Sequence, residues 1–190
     1  MNRQCKLCPA ECGADRTTEC GACGAGDTMR VAKYGLHPYE EPCISCKNGS
    51  GTVFFSGCAL RCVFCQNFEL SRARVGQEVT PERLAAIFRE LEEMGAENIN
   101  LVTASHYVPQ LIKTFAIYRP KIPVVYNTHS YEKLEALRAL DRYIDVYLPD
   151  MKYFSPKISA RYTGKADYFE YASEAVKFMA NRAPQFEGEK

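Results

Sequence analysis

Ten cysteines lie between Cys5 and Cys65, and residues 66–190 contain none. A chain of 190 residues built this way must occupy a crowd of thiols at one end and form an ordinary core at the other. The spacings are tight: Cys5-x2-Cys8-x3-Cys12, Cys20-x2-Cys23, Cys43-x2-Cys46 and Cys58-x3-Cys62-x2-Cys65. Disulfides answer such a pattern in an oxidising compartment, and metal answers it in a reducing one. The start, Met1-Asn2-Arg3-Gln4-Cys5, has no apolar stretch of the secretory kind. The expectation is therefore a cytoplasmic protein whose cysteines bind metal, with a disulfide-stapled interaction domain as the rival. Lys and Arg number 24 against 23 Asp and Glu. That balance argues against a dedicated nucleic-acid or anionic-membrane binder. No apolar run is long enough to span a bilayer.

The chain divides at residue 50. Residues 1–50 read as a Cys-rich, loop-like segment, broken by Pro9, Gly13, Gly21, Gly24, Gly26, Pro38 and Pro42. Such a segment buries little apolar surface and needs a staple to fold. Residues 51–190 read as alternating strands and helices. Thr52–Phe55, Ile99–Val102, Ile122–Tyr126 and Ile144–Leu148 are the predicted strands. Thr80-Pro81 is a helix start, followed by Leu84, Ile87, Phe88 and Leu91 at helical spacing and closed by Gly95. Val108, Leu111, Ile112 and Phe115 mark a second helix, Leu134, Leu137 and Leu140 a third, and Ala172, Ala175, Val176 and Met179 a last one. The fold class is α/β: an incomplete parallel βα barrel of about four βα units behind a Cys-rich segment. In such sheets ligands gather at the carboxyl ends of the strands. The segments to inspect are Ser56–Asn67, Thr103–Tyr107, Asn127–Ser130 and Pro149–Tyr153.

Cys58-x3-Cys62-x2-Cys65 directly follows the first of these strands. Three thiolates so close together can converge on one 4Fe-4S cluster and leave one iron open to a small molecule. Structural zinc is the competing reading, although it wants four closed ligands. The run Gly57-Cys58-Ala59-Leu60-Arg61-Cys62-Val63-Phe64-Cys65-Gln66-Asn67 resembles the signature of the radical S-adenosylmethionine (radical SAM) enzymes, with Phe64 as the aromatic before the third cysteine. The wider sequence is similar to the relatives of pyruvate formate-lyase activating enzyme that carry an N-terminal Cys-Pro-rich segment. Cys5-x2-Cys8-Pro9-x2-Cys12-Gly13, Cys23-Gly24-Ala25-Gly26, Glu40-Glu41-Pro42 and Gly49–Cys58 carry that likeness.

The resemblance implies a partial barrel of the radical SAM type. It implies a 4Fe-4S cluster on Cys58, Cys62 and Cys65, with S-adenosylmethionine chelating the open iron. It further implies reductive cleavage to a 5′-deoxyadenosyl radical that abstracts hydrogen, in activating enzymes from a glycine Cα of a glycyl radical enzyme. A flavodoxin- or ferredoxin-type donor would supply the electron. Carried over by position, the cofactor-binding candidates are Phe64, Ser105, Asn127, Asp150 and Lys152. Thr103–Tyr107 lacks the glycines and acid of the family segment, so Ser105 is the residue there placed to take the role. Asp150 and Lys152 share one face of an extended segment; a surface ion pair is the bland reading of both. His106 and His129 read as hydrogen-bonded loop residues rather than ligands, and His37 has no supporting spacing. Cys5, Cys8, Cys12 and Cys23 allow a second metal, zinc or iron–sulfur, whereas Cys20, Cys43 and Cys46 exceed the pattern. Four strands fall short of a full barrel, so a truncated gene product or a chain completed by a partner is expected. A non-catalytic Fe-S or zinc-binding fragment is the alternative function.

Overall fold

The computed structural model describes residues 4–182. In chain order the elements are β1 (Met29–His37), α1 (Pro42–Ser45), β2 (Ser50–Phe55), α2 (Phe68–Arg72), β3 (Gln77–Val79), α3 (Pro81–Glu93), β4 (Ile99–Val102), α4 (Val108–Ile117), β5 (Val124–Thr128), α5 (Leu134–Asp141), β6 (Val146–Pro149), α6 (Pro156–Thr163) and α7 (Tyr168–Arg182). The strands form one sheet in the order β3-β1-β2-β4-β5-β6. The run β2-β4-β5-β6 is parallel, whereas β1 pairs antiparallel with both β2 and β3.

The four expected parallel strands are present. The third begins at Val124 instead of Ile122, because Pro123 has no N–H to offer the ladder. The fourth begins at Val146, because Ile144 donates to Asp141 O in the turn that ends α5. Two corrections concern the first fifty residues and the strand count. Met29–His37 is a nine-residue strand, not loop. With β3 it extends the sheet beyond the four parallel strands. The division drawn at residue 50 falls between two strands that pair with each other. Helices α2 and α6, each less than three turns long, also escaped the periodicity reading.

Alternation along the strands separates two faces. Val53, Phe55, Ile99, Leu101, Val124 and Tyr126 are fully buried against Leu84, Ile87, Phe88 and Leu91 of α3, Leu111 and Phe115 of α4, and Leu137 and Leu140 of α5. Helix α3 is oriented for this by its start: Pro81 occupies the first turn, and the Thr80 side chain accepts from Arg83 N–H at 3.2 Å. Gly51 sits where β2 crosses the end of α3; a Cβ there would lie 2.7 Å from Asn98 O and 2.8 Å from Ala96 Cβ. The opposite face carries one row across all four parallel strands, Phe54–Val102–Asn127–Leu148. The row beneath it is Thr52–Asn100–Val125–Val146, in which the buried Asn100 amide has no hydrogen-bond partner among the described residues.

Candidate active site

The row Phe54–Val102–Asn127–Leu148 floors a cavity of about 920 Å³. All four strand-end segments reach it. Cys58, Cys62, Phe64, Cys65 and Asn67 come from the loop after β2, Thr103 from that after β4, His129 from that after β5, and Asp150 and Lys152 from that after β6. Glu40, Glu41 and Cys43, around α1, form the wall beyond β2. The sequence places the two glutamates in the lead-in to β2 and gives neither them nor Cys43 a part in the site.

Cys58 and Cys62 are buried, Cys65 is partly exposed, and all ten cysteines are free thiols. Burial pushes the Cys58 thiol up to about 11, and the neighbouring Cys62 and Cys65 add to the rise. The Arg61 and Leu60 N–H groups donate to the Cys58 sulfur and act in the opposite sense. The Tyr153 hydroxyl donates to Cys62 Sγ at 3.5 Å. Three convergent soft donors, two of them supplied with hydrogen bonds, fit an iron–sulfur cluster by donor chemistry; a bound cation would turn buried thiols into thiolates. Among the described residues, no three His, Cys, Asp or Glu side chains form a ready-made cage for a single metal ion.

Phe64 is 60% exposed, held edge-on by Tyr153 and Tyr162 with ring centroids at 6.3 and 5.3 Å. Asn127 stands in the floor. Asp150 and Lys152 both line the cavity and form an ion pair with each other. Ser105 does not reach the cavity. The short 3-10 turn Ser105–Tyr107 rolls all three side chains inward, and the Ser105 hydroxyl lies 3.5 Å from His129 Nε2. Thr103, held at φ +56°, is the residue of that segment which lines the site. His106 and His129 are buried. His106 Nε2 bonds Ser56 O at 2.9 Å, and His129 Nδ1 accepts from Tyr131 N–H at 3.1 Å. Burial holds both imidazoles neutral, depressed to about 3 and about 4.

Tyr168 was missed. At 0% exposure, its hydroxyl accepts from Lys152 N–H at 2.9 Å and lies 3.0 Å from His129 O and 2.9 Å from Asp150 O. It thus ties the loops after β5 and β6 from the first residue of α7. Its signal in the sequence was an extension of the last helical stripe: Tyr168, Ala172, Ala175 and Met179 are all buried.

Glu132 lies behind the β5 loop. Its carboxylate accepts from Tyr126 OH at 2.9 Å and from Thr128 Oγ1. Burial outweighs both bonds and raises it to about 7. The native state then keeps a proton between pH 4.5 and about 7 that the unfolded chain has released. Stability therefore falls as pH rises through that window. In Glu132→Gln this slope is absent, so the variant's unfolding free energy gains on the parent's by about 2 kcal/mol between about pH 5 and about pH 8. Urea titrations at the two pH values measure the gain, and equal changes in both proteins would refute the assignment.

A mostly parallel sheet, with three free cysteines on the loop after its first parallel strand and a cavity at the strand ends, defines an α/β protein of the partial-barrel kind. The chain belongs to the Radical SAM superfamily, matching it over residues 52–183. Proteins of this superfamily are generally enzymes that carry a 4Fe-4S cluster, bind S-adenosylmethionine and take electrons from flavodoxin- or ferredoxin-type donors. The sequence is also similar to the uncharacterized protein MJ0674 of Methanocaldococcus jannaschii, 28% identical over 177 residues that cover 88% of this chain and 51% of that protein. The chain thus spans about half the length of this relative. No helix among the described residues is long and apolar enough to cross a membrane.

Proposed function

We propose that Cys58, Cys62 and Cys65 hold a 4Fe-4S cluster, that the cavity beside them binds S-adenosylmethionine, and that the protein is a radical SAM enzyme of the glycyl-radical-activating kind. The observation that carries this is the placement of the three cysteines on one strand-end loop, facing the row Phe54–Val102–Asn127–Leu148. When bound, the cluster and S-adenosylmethionine supply a 5′-deoxyadenosyl radical for hydrogen abstraction.

This chain's residues bind and orient. Lys152 offers a cation to a carboxylate, with Asp150 fixing its position through their ion pair. The Asn127 amide and the Thr103 hydroxyl offer hydrogen bonds from the floor and from the β4 end. The exposed Phe64 ring offers an apolar face to a purine. Ser105 acts indirectly, beneath His129. The hydrogen donor in this reading is a glycine Cα of a glycyl radical enzyme, and a flavodoxin or ferredoxin is the reductant.

Anaerobic reconstitution followed by dithionite and S-adenosylmethionine should yield 5′-deoxyadenosine and methionine. Addition of a glycyl radical enzyme should then produce a glycine-centred radical by EPR. Protein that holds iron and sulfide yet forms no 5′-deoxyadenosine would instead be the non-catalytic Fe-S fragment.

A further inference from the structure

One group of side chains is left outside this function. Cys5, Cys8, Cys12 and Cys23 come from two loops of the N-terminal segment but share one neighbourhood. The thiols of Cys5, Cys12 and Cys23 all act on Cys8, and Cys5 bonds Cys12. The position of a Cβ on Gly21 lies 3.2 Å from Cys12 Sγ, a tight approach, and 3.5 Å from Cys23 Sγ, so the two sulfurs flank this glycine.

The backbone around them is arranged for sulfur. Cys8, Cys12 and Cys23 each accept an N–H from the residue two positions on, Ala10, Ala14 and Ala25, and Cys12 accepts a second from Ala22. Donors of this kind favour thiolate over thiol. Cys8 and Cys23 are both buried.

The choice of partners points to the kind of metal. Cys5-x2-Cys8 with Cys20-x2-Cys23 would be two pairs, the usual pattern of structural zinc. The fold brings Cys12 into the group, while Cys20 lines a separate cavity of about 350 Å³ with Arg16, Arg30 and Arg74. The result is a compact triplet plus one distant cysteine, the spacing style of iron–sulfur ligation. A cubane spreads its thiolates over separate corners.

The group also abuts the catalytic loop. Cys23 O accepts Cys58 N–H at 3.0 Å, and Cys8 packs in one buried cluster with Cys58 and Cys62. Gly57, at φ +92°, allows that approach; a Cβ there would lie 2.7 Å from Cys23 O.

We propose that Cys5, Cys8, Cys12 and Cys23 hold a second iron–sulfur cluster, which passes single electrons from a flavodoxin- or ferredoxin-type protein to the cluster at Cys58. The donor loses one electron, the second cluster gains it and gives it up again, and no covalent bond changes. The relay rests on the proposed function, whereas the site does not.

The parent chain, reconstituted without oxygen, should carry about eight irons, and the triple variant Cys58→Ala/Cys62→Ala/Cys65→Ala about four. The cluster left in the triple variant should give an EPR signal indifferent to S-adenosylmethionine. A triple variant that holds zinc, or no iron, overturns the site. Cys20→Ala should keep the full iron count; its loss of about four irons would overturn the ligand set. Cys8→Ala/Cys23→Ala should keep a cluster that responds to S-adenosylmethionine. Reduced flavodoxin should reduce that cluster several-fold more slowly than in the parent, while dithionite reduces both alike. Equal rates with flavodoxin overturn the relay. If the double variant loses both clusters, the triple variant still decides the site. If the parent chain ignores S-adenosylmethionine while the triple variant keeps its iron, the proposed function fails and this site stands.

Discussion

On the proposed function, Cys62→Ala should abolish reductive cleavage of S-adenosylmethionine and remove about four irons from the reconstituted protein. The effect is large because nothing nearby can substitute. Cys62 is buried, 7% exposed, and its two partner cysteines share the same loop. Alanine removes a soft anionic donor and leaves the Tyr153 hydroxyl, which donates to Cys62 Sγ at 3.5 Å, without that acceptor. Two thiolates cannot hold a cluster that three already leave with an open corner. Cys46 is the matched control: it is exposed and does not line the cavity, so Cys46→Ala retains the iron. Iron and sulfide analysis, with chromatographic detection of 5′-deoxyadenosine, makes the comparison. Turnover by Cys62→Ala above the reagent background would sink the assignment of the cluster to this loop.

Tyr168→Ala destabilises the protein by about 3–5 kcal/mol, the range for deleting a buried aromatic ring. The ring has 0% exposure, stacks on Tyr131 with centroids 6.1 Å apart, and meets Tyr153 edge-on at 5.3 Å. Tyr168→Phe isolates the hydroxyl. It keeps the ring but strands the Lys152 N–H and the carbonyls of His129 and Asp150, at a cost of about 1–3 kcal/mol. The same change loosens the segment that presents Asp150 and Lys152 to the cavity. The phenylalanine variant should therefore raise KM for S-adenosylmethionine more than it lowers kcat. Urea unfolding and steady-state kinetics read the two effects separately. A Tyr168→Phe protein within about 0.5 kcal/mol of the parent, the range of an ordinary surface change, with unchanged KM, would show that the bridge does not hold the loops.

The predictable parts of the molecule are those decided by near neighbours in the chain. The stripe Leu84, Ile87, Phe88, Leu91 makes one apolar face whatever it packs on, and Thr80-Pro81 starts the helix within a single turn. Cys58, Cys62 and Cys65 fall within one short loop, so no distant contact is needed to bring them together. Strand β1 was hidden because its pairing shifts register between Val31 and Lys33. That bulge breaks the two-residue alternation by which a strand is recognised. Ser105 followed from its position after a strand, but the direction of its side chain depends on a 3-10 turn that the pattern did not reveal.

The amino-acid order by itself determined the parallel βα core, the starts of its main helices and the thiol loop after its first strand, because those depend on spacing over a few residues. Only the tertiary structure decided that Glu40, Glu41 and Cys43 wall the cavity, and that Tyr168 joins two loops from the start of the last helix. Each of these joins residues far apart in the chain through burial and backbone hydrogen bonds. Such contacts exist only once the sheet has set the distances between its strand ends.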